Sequence, residues 1–109
     1  MINGEVKFLI GNQVCVPDVP GVYVFYDISG PIYVGKSDSL HKRFQQHYEG
    51  SHNKALRKAI SEPVGSLRFA WKVVDSVTET DEEEKRWIRK LGPAANLIRY
   101  VPKKGKKDD

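Results

Sequence analysis

The sequence has few of the features that indicate an exported or membrane-bound protein. Cys15 is the one cysteine among 109 residues, so no internal disulfide can form. The first twelve residues, MINGEVKFLIGN, contain no apolar run long enough for a signal peptide or a membrane span. We therefore expect a cytoplasmic protein without a membrane segment, in which Cys15 is a small core residue of a strand.

The sequence also lacks internal repeats and the paired ligand spacing of a zinc site. Three histidines, His41, His47 and His52, have no cysteine partners at such spacing, which argues against zinc. Acidic residues are outnumbered, because 14 Asp and Glu face 18 Lys and Arg, for a formal charge of +4. This mild basicity is compatible with nucleic acid as a partner without identifying it.

The length fits one hydrophobic core. We predict a single domain over residues 1–100 and a basic, disordered tail over residues 101–109.

Alternating apolar residues predict four strands in the first part of the chain. Residues 5–10 and 13–16 flank a Gly-Asn pair, and the pattern predicts an N-terminal hairpin within residues 1–17. The β-branched and aromatic run GVYVFYD and the turn ISGP predict a second hairpin, with strands near residues 22–26 and 32–35.

Helices dominate the rest of the chain. N-cap residues at positions 37–39 predict a helix that runs to about Tyr48, and NKALRKAI predicts a shorter one. Period-two alternation in SLRFAWKVVDSV predicts a strand, and the last helix is expected from about Thr78 to Leu91. The order β-β-β-β-α-α-β-α is typical of the α+β class.

Arg43 and His47 lie at the edge of the apolar face of the first long helix. At about 100° per residue, Leu40, Phe44 and Tyr48 form that face. The two polar side chains are four residues apart, so they are expected to point the same way from the rim of the core.

A carboxylate interrupts the apolar stripe of the last helix. The stripe consists of Val77, Trp87, Ile88 and Leu91. Glu84 falls in its middle, whereas Glu82 and Glu83 are expected to face outward. A core-facing charge must be paired or bind a metal, so either an ion pair with a residue such as Arg43 or a Mg²⁺ or Mn²⁺ site is possible.

Two tyrosines and a glycine mark the second predicted hairpin. Tyr23 and Tyr33 lie in adjacent strands, where alternation can place both hydroxyls on one edge, although strand tyrosines are usually packing residues. Gly35 ends the second of these strands, and its missing Cβ lets a phosphate or another backbone segment approach closely.

The ordered set of these motifs resembles the GIY-YIG nuclease family. GVY at residues 21–23 and YVG at residues 33–35 are similar to the two tripeptides that name the family, with valine replacing isoleucine. Arg43 matches an arginine of the next helix, His47 matches a histidine or tyrosine one turn later, and Lys36 matches a lysine of the excision-repair branch.

The resemblance continues on the last helix and covers roughly residues 20–98. It places the family's catalytic glutamate at Glu84 and the following proline and asparagine at Pro93 and Asn96. It implies a small central antiparallel sheet flanked by helices, to which this chain would add the N-terminal hairpin.

The activity implied by the resemblance is metal-dependent endonucleolytic cleavage of nucleic acid, most often DNA, with a connection to DNA repair. Glu84 would hold Mg²⁺ or Mn²⁺, and Arg43 would bind the scissile phosphate. Tyr33 would orient or deprotonate the attacking water, with Tyr23 and His47 as supports, and His47 is an alternative base.

Substrate contacts are further implied for Gly35, Lys36, Arg43 and Asn96. Two other interpretations are a non-catalytic nucleic-acid-binding module and a catalytic subunit that needs a targeting protein partner. The retained glutamate, arginine and tyrosines favour an active enzyme.

Overall fold

A computed structural model of the chain describes residues 2–51, 53–62 and 64–93. The described residues form four strands, three α-helices and one 3-10 helix. Their order is β1 Gly4–Lys7, the 3-10 helix Ile10–Cys15, β2 Gly21–Asp27, β3 Gly30–Ser37, α1 Leu40–Glu49, α2 Lys54–Ser61, β4 Arg68–Val73 and α3 Val77–Leu91. Within the described ranges, no helix has the length and apolar character needed to cross a membrane.

The strands form one antiparallel sheet in the order β1-β4-β2-β3. The predicted hairpin of β2 and β3 is confirmed, with Tyr23 opposite Gly35. In the turn between β2 and β3, the Asp27 carboxylate accepts a hydrogen bond from the backbone N–H of Ser29 at 2.8 Å. It also accepts one from the backbone N–H of Val64 at 3.2 Å. This buried side chain therefore ties the turn to the segment before β4.

The predicted N-terminal hairpin is wrong. β1 pairs with β4, with Val6 opposite Phe69, and residues 10–15 form a 3-10 helix instead of a second strand. Asn12 donates its backbone N–H to the carbonyl of Leu9 at 2.9 Å, so the Gly-Asn pair closes a helical turn rather than a hairpin. Cys15 is exposed on this helix and is not a core residue.

The predicted helices are confirmed, and each begins at a polar capping side chain. The caps are Ser39 Oγ, which accepts Lys42 N–H at 3.1 Å, Asn53 Oδ1, which accepts Leu56 N–H at 2.9 Å, and Ser76 Oγ, which accepts Glu79 N–H at 3.3 Å. Gly92, with a φ of 56°, ends α3 in the left-handed conformation that glycine adopts most easily.

The two faces of the sheet carry separate apolar clusters. The face toward α1 and α2 buries most of the aromatic side chains: Phe8, Tyr23, Phe25, Phe44, Phe69 and Trp71, together with Leu40 and Leu56. The face toward α3 buries Val22, Val24, Val34, Ala70 and Trp87. The predicted site residues of β2 and α1 belong to the aromatic side.

Candidate active site

Tyr23, Tyr33 and His47 form one cluster beneath α1. Tyr23 is fully buried, and its hydroxyl lies 2.7 Å from Nε2 of His47. The ring centroids of Tyr23 and Tyr33 are 6.3 Å apart, and those of Tyr33 and His47 are 5.8 Å apart. The structure therefore places both tyrosines on one sheet face, as the strand pattern allows. His47 of α1 packs against both of them.

Tyr23 remains protonated at neutral pH. Burial raises its pKa far above the ordinary value, the nearby Tyr33 and Glu84 act in the same direction, and the charge and hydrogen bond of Arg43 oppose them. Tyr23 is therefore a hydrogen-bond donor or acceptor for His47, and not a base. When the His47 proton is on Nδ1, the Tyr23 hydroxyl donates to Nε2.

Arg43 and His47 open onto the same cavity, of about 650 Å³. The cavity is lined by Tyr33, Arg43, Gln46, His47, Glu49, Gly50, Ser51 and Asn53. Nε of Arg43 is buried and has no hydrogen-bond partner among the described residues. A guanidinium at a cavity wall suits an oxyanion such as phosphate.

Glu84 lies on α3, half-buried, and its charge contributes to the raised pKa of Tyr23. The charge of Glu84 therefore acts on the tyrosine cluster from a helix that packs on the other face of the sheet. The structure thus brings four of the predicted catalytic residues together: Tyr33, Arg43 and His47 line one cavity, and Tyr23 is hydrogen-bonded to His47.

The expected outward position of Glu83 is wrong. The buried line of α3 runs through Thr80, Glu83 and Trp87, at 1%, 7% and 9% exposure, whereas Leu91 is 39% exposed. Glu83 accepts hydrogen bonds from Lys72 Nζ at 3.0 Å and from Trp87 Nε1 at 2.8 Å. A charged partner on β4 therefore makes burial of this carboxylate possible. Glu82 is exposed, as expected.

Gly35 has a packing role that differs from the predicted one. A Cβ at this position would lie 2.3 Å from the hydroxyl oxygen of Tyr23, because the Tyr23 ring covers the glycine across the strand pair. Lys36 points to the opposite sheet face and pairs with Asp81 of α3. Direct phosphate contact by either residue stays a prediction.

Some predictions fall on parts of the chain that the structure leaves undescribed. Asn96, the tail over residues 101–109 and His52 lie outside the described residues. His41 is described, and its Nδ1 lies 2.9 Å from the carbonyl oxygen of Val16, a contact that anchors α1 to the preceding segment.

The donor chemistry fits a hard divalent cation held by one carboxylate. Among the described residues, no group of three or more His, Cys, Asp or Glu side chains could hold a metal ion. Mg²⁺ is commonly bound by one or two carboxylates, with waters and substrate phosphate as the remaining ligands. The half-buried Glu84 carboxylate would supply such a ligand.

Sequence reasoning missed two sets of residues at this site. The loop residues Gly50, Ser51 and Asn53 line the cavity, but loop composition alone gave no signal for them. Lys72 also escaped notice, because its role depends on the Glu83 contact across 11 residues of chain.

Comparison with known proteins identifies the class to which this fold and site belong. The model of the GIY-YIG catalytic domain matches residues 19–98, so the chain belongs to the GIY-YIG family. The family and the α+β fold predicted from the sequence are thereby confirmed.

Particular relatives come from one group of proteins. The chain is 36% identical over 89 residues to UvrABC system protein C of Saccharopolyspora erythraea and 34% identical over 95 residues to that of Aquifex aeolicus. These matches cover 78% and 87% of this chain but only 12% and 16% of the two relatives.

A solved domain structure has a similar fold over most of its length. The N-terminal GIY-YIG endonuclease domain of UvrC from Thermotoga maritima, bound to magnesium as its catalytic divalent cation, has a TM-score of 0.64 and 26% identity. The match covers 79% of this chain and 92% of that domain.

Proposed function

We propose that this chain is a divalent-metal-dependent endonuclease that hydrolyses phosphodiester bonds in DNA. The observation that carries the proposal is the convergence of Tyr33, Arg43 and His47 on one cavity, with the buried Tyr23 hydrogen-bonded to His47. Family membership and the magnesium-bound endonuclease domain of Thermotoga maritima UvrC support the same chemistry.

Glu84 would hold the Mg²⁺ or Mn²⁺ ion, which stabilises negative charge on the phosphate and the leaving oxygen when bound. Arg43 binds the scissile phosphate, because its planar, permanently charged guanidinium lines the cavity. Asn96 is proposed to brace the substrate by hydrogen bonds.

Tyr33 orients or deprotonates the attacking water in this proposal, because it lines the same cavity as Arg43. Tyr23 acts through His47, which it holds by the 2.7 Å hydrogen bond. His47 lines the same cavity and is the alternative base.

The test is incubation of the purified chain with Mg²⁺ or Mn²⁺ and a panel of duplex, flap, branched and single-stranded DNA, with RNA as comparison. Cleavage of at least one DNA that stops on addition of a chelator is the expected result. A chain that binds these substrates and cuts none of them with either metal is instead a non-catalytic binding module.

We further propose a cytoplasmic location and a protein partner that directs the domain to its substrate. The relatives are named as the C protein of a UvrABC system, which supports the idea of a multi-protein context. Added partner protein should then raise the rate or narrow the substrate range of the purified chain.

A further inference from the structure

Two lysines of the sheet hold two carboxylates of α3 close to Glu84. Lys72 of β4 and Lys36 of β3 are both paired with Val22 of β2, so they form one row across the face toward α3. Lys72 binds Glu83, and Lys36 binds Asp81.

The Glu83 link is the stronger of the two. The side chains of the Lys36 and Asp81 pair are 43% and 50% exposed, and an exposed pair stabilises little. The Glu83 side chain is only 10% exposed and is bound by Lys72, by the Trp87 indole and by Arg86. Removing one partner of such a buried charge is costly.

This link controls the direction of the next side chain. Glu83 and Glu84 are consecutive, so they project about 100° apart around the axis of α3. Together with the buried Trp87, the contact of Glu83 with Lys72 therefore sets the rotation of the helix. Because Trp71, next to Lys72, pairs with Tyr23, the same strand links α3 to the tyrosine cluster.

We propose that Lys72 and Glu83 are positioning residues that aim Glu84 at the metal site, an inference that rests on the proposed function. Neither residue lines the cavity that Arg43 and His47 share. Their ion pair acts on Glu84 through the rotation of α3, in the way that outer-sphere partners orient metal ligands in other proteins.

The test measures Mn²⁺ binding to the nucleic-acid-free protein by titration calorimetry, together with kcat and KM for a cleaved DNA. Glu83→Gln and Lys72→Met should each weaken Mn²⁺ binding and lower kcat by roughly 10- to 100-fold, with KM nearly unchanged. Lys72→Arg, which keeps a charged donor, should recover most of the loss. Glu82→Gln, on the exposed neighbour, is the matched control and should behave as the unmodified chain.

The outcomes separate the two claims. If Glu83→Gln and Lys72→Met only lower the unfolding temperature, and bind Mn²⁺ and turn over normally while folded, the positioning role is overturned. Should Glu83→Gln fail to fold, Lys72→Met decides the matter, because Glu83 then keeps Arg86 and Trp87 as partners. If Glu84→Gln binds Mn²⁺ and cleaves normally, the metal assignment fails, and the positioning proposal fails with it.

Discussion

At the scale of single residues, the buried pair of Tyr23 and His47 distinguishes this site from ordinary aromatic packing. A strand tyrosine usually serves the core. The Tyr23 ring packs in the core, where its centroid lies 5.2 Å from that of Phe69. Its hydroxyl is hydrogen-bonded to His47, which lines the cavity. Sequence alternation predicted the shared face, but it could not predict the hydrogen bond, because that contact depends on how α1 lies over the sheet.

Tyr23→Phe should lower the free energy of unfolding at neutral pH by about 1 kcal/mol, since it removes one buried hydrogen bond. The pKa of Tyr23 is raised on folding from its ordinary value of 10.0, so its contribution is complete below pH 10 and is lost as pH rises above that value. The stability difference between the unmodified chain and Tyr23→Phe should therefore shrink in alkaline solution. Urea unfolding at pH 8 and pH 11 measures it, and a difference that grows with pH would contradict the assignment.

Gly35 is the second residue at which a small change should reach the site. Gly35→Ala adds a Cβ that would lie 2.3 Å from the Tyr23 hydroxyl oxygen, so the ring must move away from His47. We expect a loss of about 1–3 kcal/mol in stability, as for other overpacked cores, and reduced cleavage. Gly11→Ala is the control, because its Cβ would meet nothing within 4 Å. Equal stability of the two variants would rule out the proposed crowding.

At the scale of elements, α3 shows what a helical pattern can and cannot predict. Its bounds follow from a serine cap and a terminal glycine, both visible in the sequence. The rotation of α3 about its axis cannot be predicted in this way. In the sequence Glu83 has the pattern of a surface charge, and only the fold shows that Lys72 lies opposite it. The true buried line is therefore one residue away from the predicted stripe.

The ion pair of Glu83 should make docking of α3 sensitive to acid. Although burial raises the pKa of Glu83, hydrogen bonds from Lys72 and Trp87 and the charges of Lys72 and Arg86 hold it below its ordinary 4.5. A lowered pKa gives stability that is present above pH 4.5 and is lost as pH falls below it. Glu83→Gln should therefore flatten the acid limb of the stability curve, which thermal unfolding between pH 3 and pH 7 measures. An unchanged acid limb would contradict this account.

The N-terminal segment shows the limit of local signals at the same scale. A Gly-Asn pair between alternating residues is a common hairpin signal. In this chain β1 instead pairs with β4, more than 60 residues away, and residues 10–15, which follow β1, wind into a 3-10 helix. Val14 is 83% exposed there, so its apolar character gave a misleading alternation.

At the scale of the whole molecule, net charge bears on substrate binding. The chain carries +4, and the cavity holds Arg43 at its wall. Binding through about three phosphate contacts predicts a roughly 40-fold loss of affinity between about 50 and 200 mM salt, because counterions compete for the phosphates. Fluorescence anisotropy with labelled DNA in a chelator, where no cleavage occurs, measures this. An affinity independent of salt would indicate recognition by other contacts.

The proposed endonuclease activity depends most on the Glu84 carboxylate as the ligand of the catalytic metal. Glu84→Gln keeps the shape of the side chain but removes the charge that a divalent ion requires, so cleavage should fall by orders of magnitude while folding and most DNA binding are retained. Glu82→Gln removes a charge from the exposed side of the same helix and should leave the rate nearly unchanged. The deciding measurement is the single-turnover cleavage rate of the two variants in Mg²⁺. A large loss confined to Glu84→Gln is the predicted result, and equal rates for both variants would contradict the account.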